Sequence, residues 1–181
     1  MKAILLVLPF LVACSSSYMR EAAPGAPPGE TESKVIFCRP SRMTGSAVTF
    51  SLWDGAKLIG FAESGSYFEY RCSPGKHLFV AEAESDKAID ADLGARKTYY
   101  VWVTPRMGFM SANVGLTPVN QDSELMPKVE KALSKNQCRE LIPELVEKYE
   151  SRYREQMQKI KEEFEGARAE KAMKLRPEDG R

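Results

Sequence analysis

The sequence predicts a mainly β protein: a small antiparallel β-sandwich of the immunoglobulin-like kind, followed by a C-terminal α-helical extension. Three observations predict it. Between Val35 and Val119, short runs that alternate apolar and polar residues, or are apolar throughout, recur with turn residues between them. No helical apolar period occurs before residue 122, so the crossover helices of a parallel sheet are missing. From Leu125 onward the apolar period changes to steps of three and four.

Each strand has its own signal. Val35 to Arg39 is an apolar run that ends at Pro40. Ala47 to Trp53 alternates Val48, Phe50 and Leu52 with Thr49 and Ser51, and Asp54-Gly55 turns it into Lys57 to Phe61, the pattern of a hairpin. Ser66 to Cys72 sets Phe68, Tyr70 and Cys72 against Tyr67, Glu69 and Arg71, and Pro74-Gly75 leads into His77 to Glu84. Ala88 to Leu93 alternates Ile89, Ala91 and Leu93 with Asp90 and Asp92. Lys97 to Thr104 carries Tyr99, Val101 and Val103 on one face and Tyr100 and Trp102 on the other, which predicts a central strand. Met107 to Val119 supplies one more, broken at Gly108 and Gly115.

Helical spacing then takes over. Leu125, Met126, Val129, Ala132 and Leu133 follow the cap residues Asp122 and Ser123, with Pro127 tolerated in the first turn. Asn136 and Pro143 mark a break. A longer helix over 144–167 carries Leu145, Val146, Tyr149, Tyr153, Met157, Ile160, Phe164 and Ala167 along an otherwise charged segment. That stripe can fold back as core, pair with a protein partner or a copy of itself as a coiled coil, or lie on a membrane. Its mixed charges disfavour the last. Residues 177–181 read as a frayed tail.

The N-terminus looks like a bacterial lipoprotein signal. Lys2 is the charged start, Ala3 to Phe10 is an apolar run too short to span a bilayer, and Leu11-Val12-Ala13 approaches Cys14 as a cleavage site does. The likeness implies cleavage after residue 13 and a lipid on the Cys14 sulfur. Each buried CH₂ of such chains contributes about 0.8 kcal/mol to membrane holding. Ser15 gives no inner-membrane retention signal of the Asp type, which points by analogy to the outer membrane, on its periplasmic side. The expected organisation is a signal peptide over 1–13, the lipidated Cys14 and a flexible Pro- and Gly-rich tether over 14–34, a β-sandwich over 35–119, and the helical extension over 120–181.

Composition narrows the function classes. With 26 Lys and Arg against 25 Asp and Glu, the chain has no excess of positive charge for nucleic acid. Of its 4 cysteines, Cys14 is taken by the anchor, and an exported protein meets an oxidising compartment. Cys38, Cys72 and Cys138 remain, with Cys38 and Cys72 the candidate disulfide; the alternative is that all three are small buried apolar residues.

A set of short motifs adds a resemblance. Phe37, Arg39-Pro40-Ser41, Gly45-Ser46, Asp54-Gly55, Leu58-Ile59-Gly60, Gly65-Ser66-Tyr67-Phe68, Pro74-Gly75-Lys76-His77 and Thr98-Tyr99-Tyr100-Val101 resemble a family of bacterial lipoproteins, domain of unknown function 2846. The likeness covers 34–119 and leaves the helices outside. Pro74-Gly75-Lys76-His77 also resembles the turn of small surface modules with Pro-Glu-Gly-Ala repeats, which implies the same sandwich. The family brings no known catalytic residues.

No phosphate-binding loop, dinucleotide fingerprint, serine elbow or HExxH is present, so no cofactor, no metal and no enzyme activity are expected. His77 is the only histidine and follows a turn; it is expected to bond to that turn. Glu82, Glu84, Asp86, Asp90 and Asp92 form an acidic edge that fits a solvated strand face better than a calcium loop. Arg39 and Arg42 form a basic loop able to hold a carboxylate or phosphate. Tyr67, Tyr100 and Trp102 can make an aromatic platform for a glycan or small ligand, or they can be core. The expected function is a membrane-anchored envelope protein acting as a non-enzymatic binding or scaffold module with the helix 144–167 as its interaction element. The alternative is a glycan- or small-ligand-binding sandwich.

Overall fold

Alternating runs become strands because each carries an apolar face that must leave water, and two such faces close on one another. The computed structural model describes residues 18–41, 43, 45–107 and 112–181. In chain order it has β1 (Met19–Glu21), β2 (Ser33–Arg39), β3 (Phe50–Asp54), β4 (Lys57–Ala62), β5 (Ser66–Cys72), β6 (Gly75–Ala81), β7 (Lys87–Leu93), β8 (Thr98–Met107), β9 (Ala112–Val119), α1 (Met126–Leu133), β10 (Gln137–Leu141), α2 (Pro143–Glu165) and β11 (Met173–Leu175). Strand order is β1-β10-β5-β2-β8-β9 in one sheet and β11-β7-β6-β3-β4 in the other. The mainly β sandwich with a C-terminal helix is therefore observed.

The sheets are mixed rather than purely antiparallel. β2 with β8, β10 with β5 and β11 with β7 are parallel pairs. The crossover that a parallel pair needs does not have to be a helix here. Between β2 and β8 the chain visits the opposite sheet twice, as β3-β4 and as β6-β7, with β5 of the same sheet between them, and this path is the crossover.

Period two then supplies two cores. Val35 and Phe37 of β2, with Tyr99, Val101 and Val103 of β8, face the second sheet and meet Leu52, Trp53, Phe79 and Ile89 there. Ile36 and Cys38, with Tyr100 and Trp102, face the other way and would form an exposed apolar patch. Met126, Val129 and Ala132 of α1 cover them in a second, smaller cluster. All seven residues of β2 are buried in consequence.

The segment 120–181 carries strands as well as the expected helices: it adds β10 to one sheet and β11 to the other, and Met157, Ile160 and Phe164 of α2 enter the main core. Of the three readings open for that stripe, folding back as core is the one its buried positions follow. Glu150 of α2 also accepts a hydrogen bond from the Leu58 amide on edge strand β4, at 2.9 Å. The residues 177–181 are held too: Thr98 and Arg181 exchange backbone hydrogen bonds at 2.7 and 3.1 Å.

The expected tether, from residue 18 on, is bound to the fold. Met19 is 3 % exposed and β1 pairs with β10. Tyr18 stacks on Phe61 with ring centroids 4.6 Å apart, and its carbonyl accepts from the Ile142 amide at 3.0 Å. Further along, Lys34 Nζ donates to the carbonyls of Gly25 and Ala26, and Glu69 accepts from the Gly25 amide. Composition judged this segment by its own apolar content, whereas its hydrogen-bond partners come from β2 and β5. Cys14, the signal peptide 1–13 and Arg42 lie outside the described residues.

Met157 is 0 % exposed. Met157→Ala should therefore cost about 2–5 kcal/mol, read as a lower urea midpoint; a loss below about 0.5 kcal/mol would place α2 outside the core.

Candidate functional site

The strongest candidate lies where α1 crosses the outer face of the six-stranded sheet. Cys38 of β2 sits beside Trp102 of β8 on one side and Tyr67 of β5 on the other, and Tyr67 sits beside Cys138 of β10. α1 covers these residues with its apolar positions and leaves a groove of about 440 Å³ along its flank. Trp102, Pro40 and Ala132 make the apolar floor. Ser41, Asn136 and three lysines, Lys128, Lys131 and Lys135, make the rim. Asn136 Nδ2 donates to the Arg39 carbonyl at 3.2 Å and ties the chain leaving α1 to the end of β2.

The polar character of this groove is one-sided. Lys128, Lys131 and Lys135 are exposed and make no ion pair among the described residues, and no carboxylate lines the groove. Glu130 of α1 pairs instead with Arg181, whose guanidinium lies over Tyr100, 4.9 Å from the ring centroid.

The residues expected to bind separate into different roles. Trp102 reaches the groove. Tyr67 and Tyr100, at 6 % and 5 % exposure, are buried beneath α1 rather than forming a platform. Arg39 is also corrected: on the opposite face of β2 from Cys38 it points between the sheets and is 1 % exposed. Its guanidinium donates to the carbonyls of Val48 at 2.7 Å, Ala62 at 2.5 Å and Gly45 at 2.6 Å. This closes the loop after β2 onto the end of β4. Burial lowers its pKa, with the Glu63 carboxylate opposing.

The disulfide expectation fails on register. Cys38 pairs with Tyr67 whereas Cys72 pairs with Ser33, five positions along the same ladder. Strand rise puts them about 17 Å apart, against about 7 Å for a bridge, and they face different cores. Cys138 lies across Tyr67 from Cys38, two strand spacings or about 10 Å away. All three thiols are free. Burial pushes Cys38 up to about 12, which makes it a poor nucleophile.

A second cleft, of about 560 Å³, lies between β6, β7 and the end of α2 and contains His77. His77 Nδ1 lies 2.7 Å from Asp54 Oδ2, and Nε2 lies 2.9 Å from the Ser73 carbonyl. The bond to the turn is joined by one to Asp54 that no sequence spacing indicated. Two acceptors ask for two N–H donors, so the imidazolium is the form that satisfies both. The Asp54 hydrogen bond and charge raise its pKa to about 10, against some opposition from burial. An imidazolium has no free lone pair with which to act as a general base. The lysines of this cleft are also answered, Lys174 by Asp90 at 2.7 Å, Lys76 by Asp92 at 3.0 Å and Lys161 by Glu165 at 3.7 Å.

The acidic edge is likewise dispersed. Glu82 accepts from Ser51 and Gln156, and Asp86 from the Ala83 amide. Among the described residues no group of three or more His, Cys, Asp or Glu is placed to hold a metal ion.

The His77 pKa sets a pH dependence. It rises from about 6.5 in the unfolded chain to about 10, so the pair's stabilisation is fully present below pH 6.5 and is lost as pH climbs through 10. His77→Gln should cost about 3 kcal/mol at pH 6, and urea melts should show the gap to the parent chain closing by pH 10. No protein-family model, curated protein or solved structure matches this chain.

Proposed function

We propose that this chain is a lipid-anchored protein of the bacterial cell envelope, held at the outer membrane through Cys14, whose folded part binds a ligand without catalysing a reaction. The observation that carries the binding half is the groove along α1, which keeps Trp102 in its floor and, at its rim, three exposed lysines without an ion pair among the described residues. The non-enzymatic half draws support from His77, the only histidine, whose ring nitrogens both meet structural acceptors.

Anchoring rests on the sequence of residues 1–14, and the fold adds a distance to it. Tyr18 is clamped between Phe61 and Tyr149. The four residues from Cys14 to Tyr18 span at most about 14 Å. A lipid on Cys14 therefore holds the sandwich close to the bilayer rather than on a long tether. No helix among the described residues is long and apolar enough to cross a membrane.

Of the two binding readings, the ligand-binding sandwich is favoured over association through helix 144–167. Met157, Ile160 and Phe164 of that helix are already committed to the core, and a partner would have to compete with it. Mass spectrometry of the mature N-terminus should find an acylated Cys14. Cys14→Ser should move the protein from the salt-washed membrane pellet to the supernatant, and a variant that still pellets would refute the anchor.

A further inference from the structure

We infer that the groove along α1 takes a phosphate-bearing ligand whose apolar or ring portion lies on Trp102. This deepens the binding reading above and does not depend on the anchor.

The first argument is charge. Lys128 and Lys131 lie one turn apart on one flank of α1, about 4.5 Å along its axis, and Lys135 follows just beyond the helix end. Three ammonium groups around one groove repel one another, and no carboxylate among the described residues offsets that. An anion in the groove would. Lysine supplies a point charge with three rotatable donors, which suits the several directions of a tetrahedral phosphate. Arginine would have suited a planar carboxylate bidentately.

The second argument is the indole. Trp102 is 7 % exposed, and what is accessible of it faces the groove. Its N–H donates to no group among the described residues, and it is not a sealed, unsatisfied atom. The Trp53 N–H, by contrast, is satisfied by Ser51 at 3.0 Å. The groove thus presents three ammonium groups and the Ser41 hydroxyl beside the Trp102 indole, a set rich in donors. Pro40, Ala132 and the indole offer a flat apolar surface beside them, enough to orient the non-ionic part of a ligand. At about 440 Å³ the space fits a small molecule.

A phosphate of this kind belongs either to a lipid headgroup or to a soluble phosphate ester, and the two are separable. The full mature chain carrying Cys14→Ser removes the lipid from the measurement and keeps every groove residue. Trp102 and Trp53 are the only tryptophans, and Trp53 is fully buried, so a change in intrinsic fluorescence reports on Trp102. Titration with phenyl phosphate should give a saturable change that weakens with added salt, while phenol at the same concentrations gives none. The exposed triple variant Lys128→Glu, Lys131→Glu, Lys135→Glu should weaken the response about tenfold or more while its urea midpoint stays near that of the parent. A lipid source predicts that monomeric short-chain phosphatidic acid binds about tenfold tighter than phenyl phosphate. Equal or weaker binding identifies a soluble ester. Absence of saturation with both phosphates, equal binding of phenol, or indifference to the lysine substitutions in a folded variant would overturn the inference.

Discussion

Strands β2 and β8 lie side by side in parallel register within the six-stranded sheet, and both faces of that pair are buried. Because side chains alternate along a strand, one face builds the core between the sheets and the other must find a separate cover. α1 is that cover. The remaining features follow from this double burial: the second cluster, the position of α1, and the groove along its flank that Trp102 floors. A substitution that turned Ile36, Cys38 or Trp102 polar would remove the reason for α1 to sit where it does.

The same constraint explains why the chain's outer segments are drawn in. The six-stranded sheet is completed at one side by β10 and β1, from opposite ends of the sequence, and the five-stranded sheet by β11. Each brings hydrogen-bond partners to an edge that would otherwise be open to pairing with another chain. β10 connects α1 directly to α2, so the cover of the outer face and the helix entering the inner core are held by one short strand. Buried Arg39 serves the other end of β2, where its guanidinium gathers three carbonyls from the loop and from β4.

Charge is arranged on the same logic. In the His77 cleft every lysine and the histidine face a carboxylate, and the result is a set of local ties between β3, β6, β7 and β11, with one more pair inside α2. In the α1 groove the lysines have no such partners among the described residues. Two clefts of similar size thus have opposite chemistry, one satisfied from within and one able to gain from a ligand. On that difference, more than on volume, the proposed binding role of the α1 groove rests.

Local pattern alone determined the strands from 35 to 119, the two helices and the Asp54-Gly55 hairpin. Each of these depends on residues adjacent in the chain: alternation buries one face of a strand, helical spacing one face of a helix, and Gly55 has the positive φ of 58° that its turn requires. Only the tertiary structure decided what those elements meet. It paired Cys38 with Tyr67 rather than with Cys72, turned Arg39 inward, hid Tyr67 and Tyr100 beneath α1, and brought Asp54 to His77. β1, β10 and β11 were equally hidden, because runs of three to five residues carry too little period to reveal a strand whose partner is a hundred residues away. The lysines of the groove were visible as charges on a helix. Which sheet face that helix would cover was not, since this depends on the summed apolar surface of strands as far apart in the chain as β2, β5 and β8.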